Sequence, residues 1–221
     1  MIQHGAAIIV IACNAASAGG LYYARSQYPH IPFVGVEPAV KPAAEATQSG
    51  VIGVLTTRAT ADGLLYKQVL ERYAANIRVI TQVAPELVNI AEENSQHTPQ
   101  SREIIRAYVE PLVNAGADQI ALACTHFPFL INVIQEFAGN TVRIIDPGPA
   151  IARQAARVWP ERVTLAPVGN AYFTSGSPDR FSEMLRTLIG VDAPVQGMCW
   201  SPDYEVRECA SVGSLDTVSE G

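Results

Sequence analysis

Six short apolar runs, separated by helix-like patterns, constrain the fold of this 221-residue chain most strongly. The runs are Ile8–Ala12, Phe33–Val36, Val51–Leu55, Ile77–Ile80, Ile120–Ala123 and Val142–Ile145. Because polar residues do not alternate with apolar ones, the runs predict strands that helices cover on both faces, as in a parallel sheet. Thr98-Pro99 and Ser177-Pro178 predict two helix starts, each an N-cap followed by proline. The sequence therefore predicts an α/β fold.

Length and composition narrow the class of protein. Hydrophobic residues make up 48% of the chain and charged residues 16%, so we expect a sizeable core in one large or two small domains. No apolar stretch is long enough to span a bilayer and no signal-peptide pattern opens the chain, so we expect a cytoplasmic protein without membrane contacts. The net charge of −6 argues against nucleic acid as a partner. Four cysteines at irregular spacing do not resemble a disulfide framework.

Two of the cysteines end apolar runs, and short polar residues follow each of them. The first is Cys13, followed by Asn14 and Ser17, and the second is Cys124, followed by Thr125. The carboxyl end of a parallel strand, beside a helix N-terminus, is where α/β proteins bind ligands and where a thiolate is stabilised. One such cysteine alone is more often an inert core residue. The matched pair instead predicts two bases that face one substrate, able to invert a carbon centre, with the polar residues holding a small amino acid.

His126 lies two residues beyond Cys124, so an extended turn would let it hydrogen-bond the thiol or the substrate; a capping or packed histidine is the alternative. Neither a CxxC nor an HExxH motif occurs, so we expect no metal site. Pyridoxal phosphate would need a Schiff-base lysine. Lys41 lies between prolines and Lys67 on a solvated helix face, so neither is suited. The sequence predicts proton transfer without a cofactor.

Five segments together resemble the glutamate racemase family, within the wider aspartate/glutamate racemase group. They are residues 11–18, 35–43, 53–60, 123–128 and 172–178, and they occur in the family's order. The resemblance implies two similar three-layer lobes with mostly parallel sheets, facing across a cleft that binds glutamate. Glu37-Pro38 and Asp146-Pro147 follow strands and are natural crossing points. We therefore expect a first lobe of residues 1–37 and 147–198, a second of residues 38–146, and a disordered tail of residues 199–221.

The resemblance also implies roles for individual residues. Cys13 would handle the proton on one face of the α-carbon and Cys124 the proton on the other. His126 matches the assisting histidine, and Glu92 matches more loosely the carboxylate that orients it. The positions that hold substrate match Asn14, Thr57, Thr60 and Thr125. The product, D-glutamate, would feed peptidoglycan synthesis for the bacterial cell wall, and the oligomeric state stays open, a homodimer included.

Two departures from the family pattern bear on activity. Ala15 stands where the family has a threonine whose hydroxyl contacts substrate. The family's first motif, a glycine-rich turn with an Asp-Ser pair, and its later Pro-Tyr-Gly turn have no match, which implies an incomplete first lobe. We expect a start codon assigned too far downstream rather than a truncated product, and little or no turnover by the chain as it stands.

Three other functions remain open from the sequence. A sibling racemase would act on aspartate or another amino acid. A non-catalytic relic would bind an acidic amino acid through the second lobe. A cysteine hydrolase fits least, because it needs a base beside one nucleophile and leaves the second matched thiol unexplained.

Overall fold

The computed structural model describes residues 1–2, 5–160, 169–203 and 206–209. The contacts divide the chain into two compact units, Met1–Thr164 and Leu165–Gly221. Helices and parallel strands alternate along the first unit, so the predicted α/β fold is confirmed. Each of the six apolar runs forms a strand. No helix in the described part of the chain combines the length and apolar character that a membrane span requires.

A two-stranded parallel sheet opens the first unit. Strand β1 (Ile9–Ile11) pairs with β2 (Phe33–Gly35), and helix α1 (Asn14–Gln27) connects the two. The helix is held against the sheet by Leu21, which is buried with Ile9 and Phe33. A side chain at Gly35 would collide with Leu21, so this glycine permits the close approach of α1 to β2.

A four-stranded parallel sheet with the order β4-β3-β5-β6 follows in the same unit. Its strands are β3 (Val51–Thr56), β4 (Arg78–Val83), β5 (Gln119–Ala123) and β6 (Arg143–Ile145). The remaining helices of this unit are α2 (Val40–Ala46), α3 (Arg58–Ala61), α4 (Leu64–Tyr73), α5 (Glu86–Glu92), α6 (Pro99–Asn114), α7 (Ile131–Ala138) and α8 (Gly148–Arg157), with a 3₁₀ turn at Phe127–Leu130. The predicted N-cap of α6 is confirmed, since the Thr98 hydroxyl accepts a hydrogen bond from the Ser101 N–H.

Two apolar clusters cover the faces of this sheet. Leu55 and Leu122 belong to the cluster that includes residues of α5, α6 and α7, whereas Val54 and Ala121 belong to the cluster with α2 and α4. All five residues of β5 are buried. Successive side chains of the inner strands thus enter opposite cores, which is why their sequences are apolar without alternation.

The second unit contains a small mixed sheet and one helix. Strand β7 (Tyr172–Thr174) pairs in parallel with β8 (Val195–Trp200), and β9 (Val206–Glu208) pairs with β8 in the antiparallel sense. Helix α9 (Pro178–Ile189) starts as predicted, with the Ser177 hydroxyl accepting from the Arg180 N–H. It ends at Gly190, whose φ of 69° is the left-handed conformation that favours glycine at a helix end.

A disulfide and a strand pair occupy the predicted tail. Cys199 is bonded to Cys209, just beyond β9, so the hairpin has a covalent link between its strands. The prediction that residues from 199 onward are disordered is therefore wrong for residues 199–203 and 206–209. These residues are ordered because β8 and β9 pair through their main chains and because the disulfide links them. Neither feature produces a periodic pattern of apolar residues in the sequence. The rest of the predicted tail, residues 204–205 and 210–221, lies outside the described residues.

The boundary of the compact units differs from the predicted lobe boundaries. Residues 1–37 contain the two-stranded sheet and residues 38–146 contain the four-stranded one, yet both lie in the unit Met1–Thr164. Residues 147–198, expected to complete the first lobe, are divided between the two units. The assignment of these segments to two lobes stays a prediction.

Candidate active site

A thiol, an imidazole and a carboxylate form a chain of contacts at the end of β5. Cys124 follows the last residue of that strand and is 7% exposed. Its Sγ atom lies 3.6 Å from Nδ1 of His126, and Nε2 of His126 lies 3.2 Å from Oε1 of Glu92, the last residue of α5. A carboxylate on one imidazole nitrogen favours the tautomer that leaves the other nitrogen free to accept a proton from the thiol.

Burial raises the pKa of the Cys124 thiol above its ordinary value, because the thiolate is poorly solvated there. The backbone N–H groups of His126 and Phe127 oppose this by donating hydrogen bonds to the sulfur. The charge of Cys13 raises the pKa of Cys124 further. Cys124 is therefore held as a thiol at neutral pH, with a proton acceptor beside it.

Cys13 occupies the N-cap position of α1, two residues after the end of β1. Its backbone is extended, with φ −146° and ψ 128°, and its side chain makes no capping hydrogen bond. Unlike Cys124, it is exposed. The first-turn N–H groups of α1 and the positive end of its dipole face this position, where they favour a bound carboxylate. Two predicted bases thus have opposite environments, one buried and one open to solvent.

Asn14, directly after Cys13, is 2% exposed, and neither its amide nitrogen nor its amide oxygen has a hydrogen-bond partner among the described residues. A buried side-chain amide without partners is costly and uncommon. Asn14 thus places an unsatisfied amide directly beside Cys13.

The register of the four-stranded sheet brings the predicted threonines beside Cys124. Thr56 of β3 pairs with Ala123 of β5, so the next residues, Thr57 and Cys124, emerge side by side at the carboxyl edge. Thr57 then begins α3 and donates a hydrogen bond from its hydroxyl to that of the buried Thr60, at 3.3 Å. Thr125 follows Cys124 and is half-buried.

The two strand ends lie near each other within the first unit. Helix α1 packs against α3 and α4, and a Cβ atom at Gly63 would lie 3.6 Å from Cβ of Ala18. Cys124, His126 and Glu92 form one chain of contacts with Thr57, Thr60 and Thr125 beside it, whereas Cys13 and Asn14 begin α1, the helix that packs against α3. Their roles stay predictions.

Ser17 departs from its expected place. The sequence suggested a hydroxyl available to substrate, but the Ser17 side chain is 1% exposed and bonded to two main-chain groups, the carbonyl of Ile11 and the N–H of Val36. No sequence pattern distinguishes a hydroxyl that faces a cleft from one that turns back on its own strand.

A cavity of about 400 Å³ lies elsewhere in the first unit and contains none of these residues in its lining. Both predicted crossing segments, at Glu37-Pro38 and Asp146-Pro147, line it. No group of three or more His, Cys, Asp or Glu side chains in the described ranges is arranged to bind a metal ion.

The contrast between the two thiols predicts selective alkylation. Treated with iodoacetamide at neutral pH, Cys13 should react faster than Cys124, because Cys13 is exposed while burial raises the pKa of Cys124. A raised pKa means a smaller thiolate fraction at any given pH. The Cys124 rate should therefore keep rising above pH ~8.5, the ordinary thiol pKa. Peptide mass spectrometry measures both rates.

The disulfide-bonded Cys199 and Cys209 provide an internal control, since without reductant they should remain unlabelled. Faster labelling of Cys124 than of Cys13 at neutral pH would contradict the environments described.

The known proteins to which this chain is similar in sequence are racemases. The family model for Asp/Glu/Hydantoin racemase matches residues 1–155. The glutamate racemase of Roseiflexus sp. (strain RS-1) is 42% identical over 193 residues, which cover 85% of this chain and 71% of that protein. The glutamate racemase of Pseudomonas syringae pv. tomato is 44% identical over 195 residues, covering 87% of this chain and 71% of that protein.

Solved structures show the same relationship. Glutamate racemase isoform RacE1 of Bacillus anthracis superposes with a TM-score of 0.74 at 26% identity, over 90% of this chain and 75% of that one. Escherichia coli glutamate racemase, in complex with L-glutamate and the activator UDP-MurNAc-Ala, gives a TM-score of 0.74 at 28% identity, over 84% and 73% of the two chains. The family model covers most of the first unit, and the curated glutamate racemases match most of the length of this chain. This chain therefore belongs to the Asp/Glu/Hydantoin racemase family.

Proposed function

We propose that this protein interconverts L- and D-glutamate without a cofactor, by proton transfer between Cys13 and Cys124. The observation that carries the proposal is the chain of contacts from the Cys124 thiol through His126 to Glu92, with a second free thiol, Cys13, at the N-cap of α1 in the same unit. Its family membership and curated relatives support glutamate as the substrate. A cytoplasmic location and the supply of D-glutamate for peptidoglycan belong to the same proposal.

In the proposed reaction, one cysteine removes the α-proton as a thiolate and the other donates a proton from the opposite face. The carbon–hydrogen bond breaks toward one sulfur and a new one forms from the other, so the configuration inverts and no electrons are exchanged with a cofactor. Cys124 enters as a thiol, because its pKa is raised, and His126 supported by Glu92 accepts its proton when it must act as the base. In the other direction Cys13 serves as the base.

The intermediate carries negative charge, so its stabilisation depends on donors that are already in place. Asn14 offers an amide with both atoms free of partners among the described residues, and the N-terminus of α1 favours an α-carboxylate. On the opposite side, Thr57, Thr60 and Thr125 offer hydroxyls at the carboxyl edge of the larger sheet. Ala15 supplies no hydroxyl, so glutamate has one hydrogen-bond partner fewer beside Cys13 and should bind more weakly.

Incubation with L-glutamate in heavy water tests the proposal. We expect deuterium at the α-carbon and the appearance of D-glutamate, both detected by chiral chromatography with mass spectrometry. The readout is the deuterium accumulated at the α-carbon over a long incubation, which also detects slow exchange. The absence of deuterium from the α-carbon after that incubation would contradict the proposed reaction.

Parallel incubations separate the alternatives. Faster deuterium incorporation into aspartate than into glutamate would favour a sibling racemase. Binding of glutamate by titration calorimetry, with no α-deuterium in either acid, would contradict catalysis and favour an amino-acid-binding relic.

A further inference from the structure

The ladder between β1 and β2 is interrupted at its carboxyl end. The N–H of Ile9 donates to the carbonyl of Pro32 at 3.0 Å, a regular rung of the parallel register in which Ile9 faces Phe33. In the same register Ile11 faces Gly35, so the next rung would run from the Val36 N–H to the Ile11 carbonyl. A side-chain hydroxyl lies between these two groups.

That hydroxyl belongs to Ser17. Its Oγ accepts from the Val36 N–H at 2.9 Å and donates to the Ile11 carbonyl at 3.0 Å. Ser17 is 1% exposed and Val36 0%, so bulk water does not compete for either bond. A hydroxyl has one proton to donate, and the Ser17 hydroxyl donates it to the Ile11 carbonyl. The side chain therefore replaces the direct hydrogen bond between Val36 and Ile11 with two bonds through its hydroxyl, and it holds the two strand ends apart.

The interrupted rung lies where both strands lead into functional segments. Ile11 is two residues before Cys13, and the Cys13 carbonyl accepts the Ser17 N–H at 2.8 Å. Val36 leads directly into the predicted crossing at Glu37-Pro38. Ser17 thus bonds to the main chain of Ile11 and of Cys13, and to the main chain of Val36 at the start of the crossing.

We propose that Ser17 is a positioning residue, whose hydroxyl separates β1 from β2 at the last rung and thereby fixes the place of Cys13. Without the hydroxyl, the Val36 N–H would be left buried and unpaired, at a cost that favours direct closure of the rung onto the Ile11 carbonyl. Closure draws the end of β1 and the attached Cys13 toward the crossing segment. The effect on proton transfer rests on the proposed function, whereas the position of Cys13 does not.

The Ser17→Ala variant tests the inference. We expect the alkylation rate of Cys13 to change about fivefold, the scale of one hydrogen bond's net contribution, while the rate of Cys124 stays at its parental value. In the heavy-water assay kcat should fall about tenfold or more, with a smaller change in KM, because a displaced base affects the chemical step. The matched control is Ser26→Ala on the same helix, where an exposed hydroxyl donates to the Tyr23 carbonyl at 2.8 Å.

The Ser17→Thr variant keeps the hydroxyl and should return the ratio of the two alkylation rates to the parental value. Equal changes at both thiols, or no change at Cys13, in folded Ser17→Ala would overturn the inference, as would the same effect in Ser26→Ala. Should the alanine variant not fold, the threonine variant carries the test, and an altered rate ratio there would overturn it. Alkylation needs no turnover, so failure of the racemase proposal leaves this arm intact.

Discussion

Replacing Cys124 or Cys13 by serine is expected to abolish interconversion of the glutamate enantiomers, because a serine hydroxyl is far too weak an acid to exchange a proton at neutral pH. General-base catalysis contributes roughly 10²–10⁴-fold, which sets the expected loss in each variant. The two variants should differ in what they retain. With one thiol left, α-deuterium can enter only the enantiomer whose proton faces that thiol, so each variant should label one enantiomer and the two should label opposite ones.

The double variant Cys199→Ser/Cys209→Ser is the matched control, since it removes the disulfide of the second unit and neither thiol of the site. It should retain the parental rate of deuterium incorporation. Retention of inversion in Cys13→Ser or Cys124→Ser, or labelling of the same enantiomer by both, would contradict a reaction in which two thiols act on opposite faces.

Replacing Phe127 by alanine is expected to produce the largest loss of stability. Phe127 is 0% exposed and belongs to the same buried cluster as Leu87 and Leu130. Truncating a fully buried phenylalanine typically costs about 3–5 kcal/mol, from the lost burial and from the cavity left behind. Domains of this kind are stable by only about 5–15 kcal/mol, so the change removes a large fraction of the total. Urea unfolding should show a lower midpoint with an unchanged slope.

The neighbouring Phe129 offers a control of the same residue type in the same 3₁₀ turn. It is 40% exposed, so Phe129→Ala should change the free energy of unfolding by about 0.5 kcal/mol or less. Similar losses for the two variants would mean that burial in the cluster is not what stabilises this turn. Because Phe127 adjoins His126, its truncation should also loosen the contact of His126 with Glu92, measurable as a change in the pH dependence of Cys124 alkylation.

Strand positions and the placement of Thr57 beside Cys124 were predictable because both follow from burial and topology. The run at residues 120–123 became β5, with every residue buried, since a strand between two helical layers has no face to leave polar. Once the strands were parallel, their carboxyl ends had to share an edge, and that places Thr57 beside Cys124. The N-caps Thr98 and Ser177 were also predictable, because they depend only on neighbouring residues.

Features that depend on three-dimensional proximity were not predictable. The pairing of Cys199 with Cys209 requires two strands to meet in a hairpin whose sequence has no clear periodicity. The Ser17 hydroxyl turns toward its own sheet because the last rung is open, a detail of register that composition does not reveal. The resemblance located Glu92 only loosely, and its contact with His126 depends on where α5 ends.

The strand that leads to Cys124 is paired more fully than the strand that leads to Cys13. β5 is paired along both edges, by β3 and β6, whereas β1 pairs only with β2 among the residues that the structure describes. Local opening free energies follow such pairing and burial, and a two-stranded sheet is marginal by itself. Fluctuations that admit glutamate and release its enantiomer should therefore arise on the Cys13 side, with Cys124, His126 and Glu92 as the stationary partner.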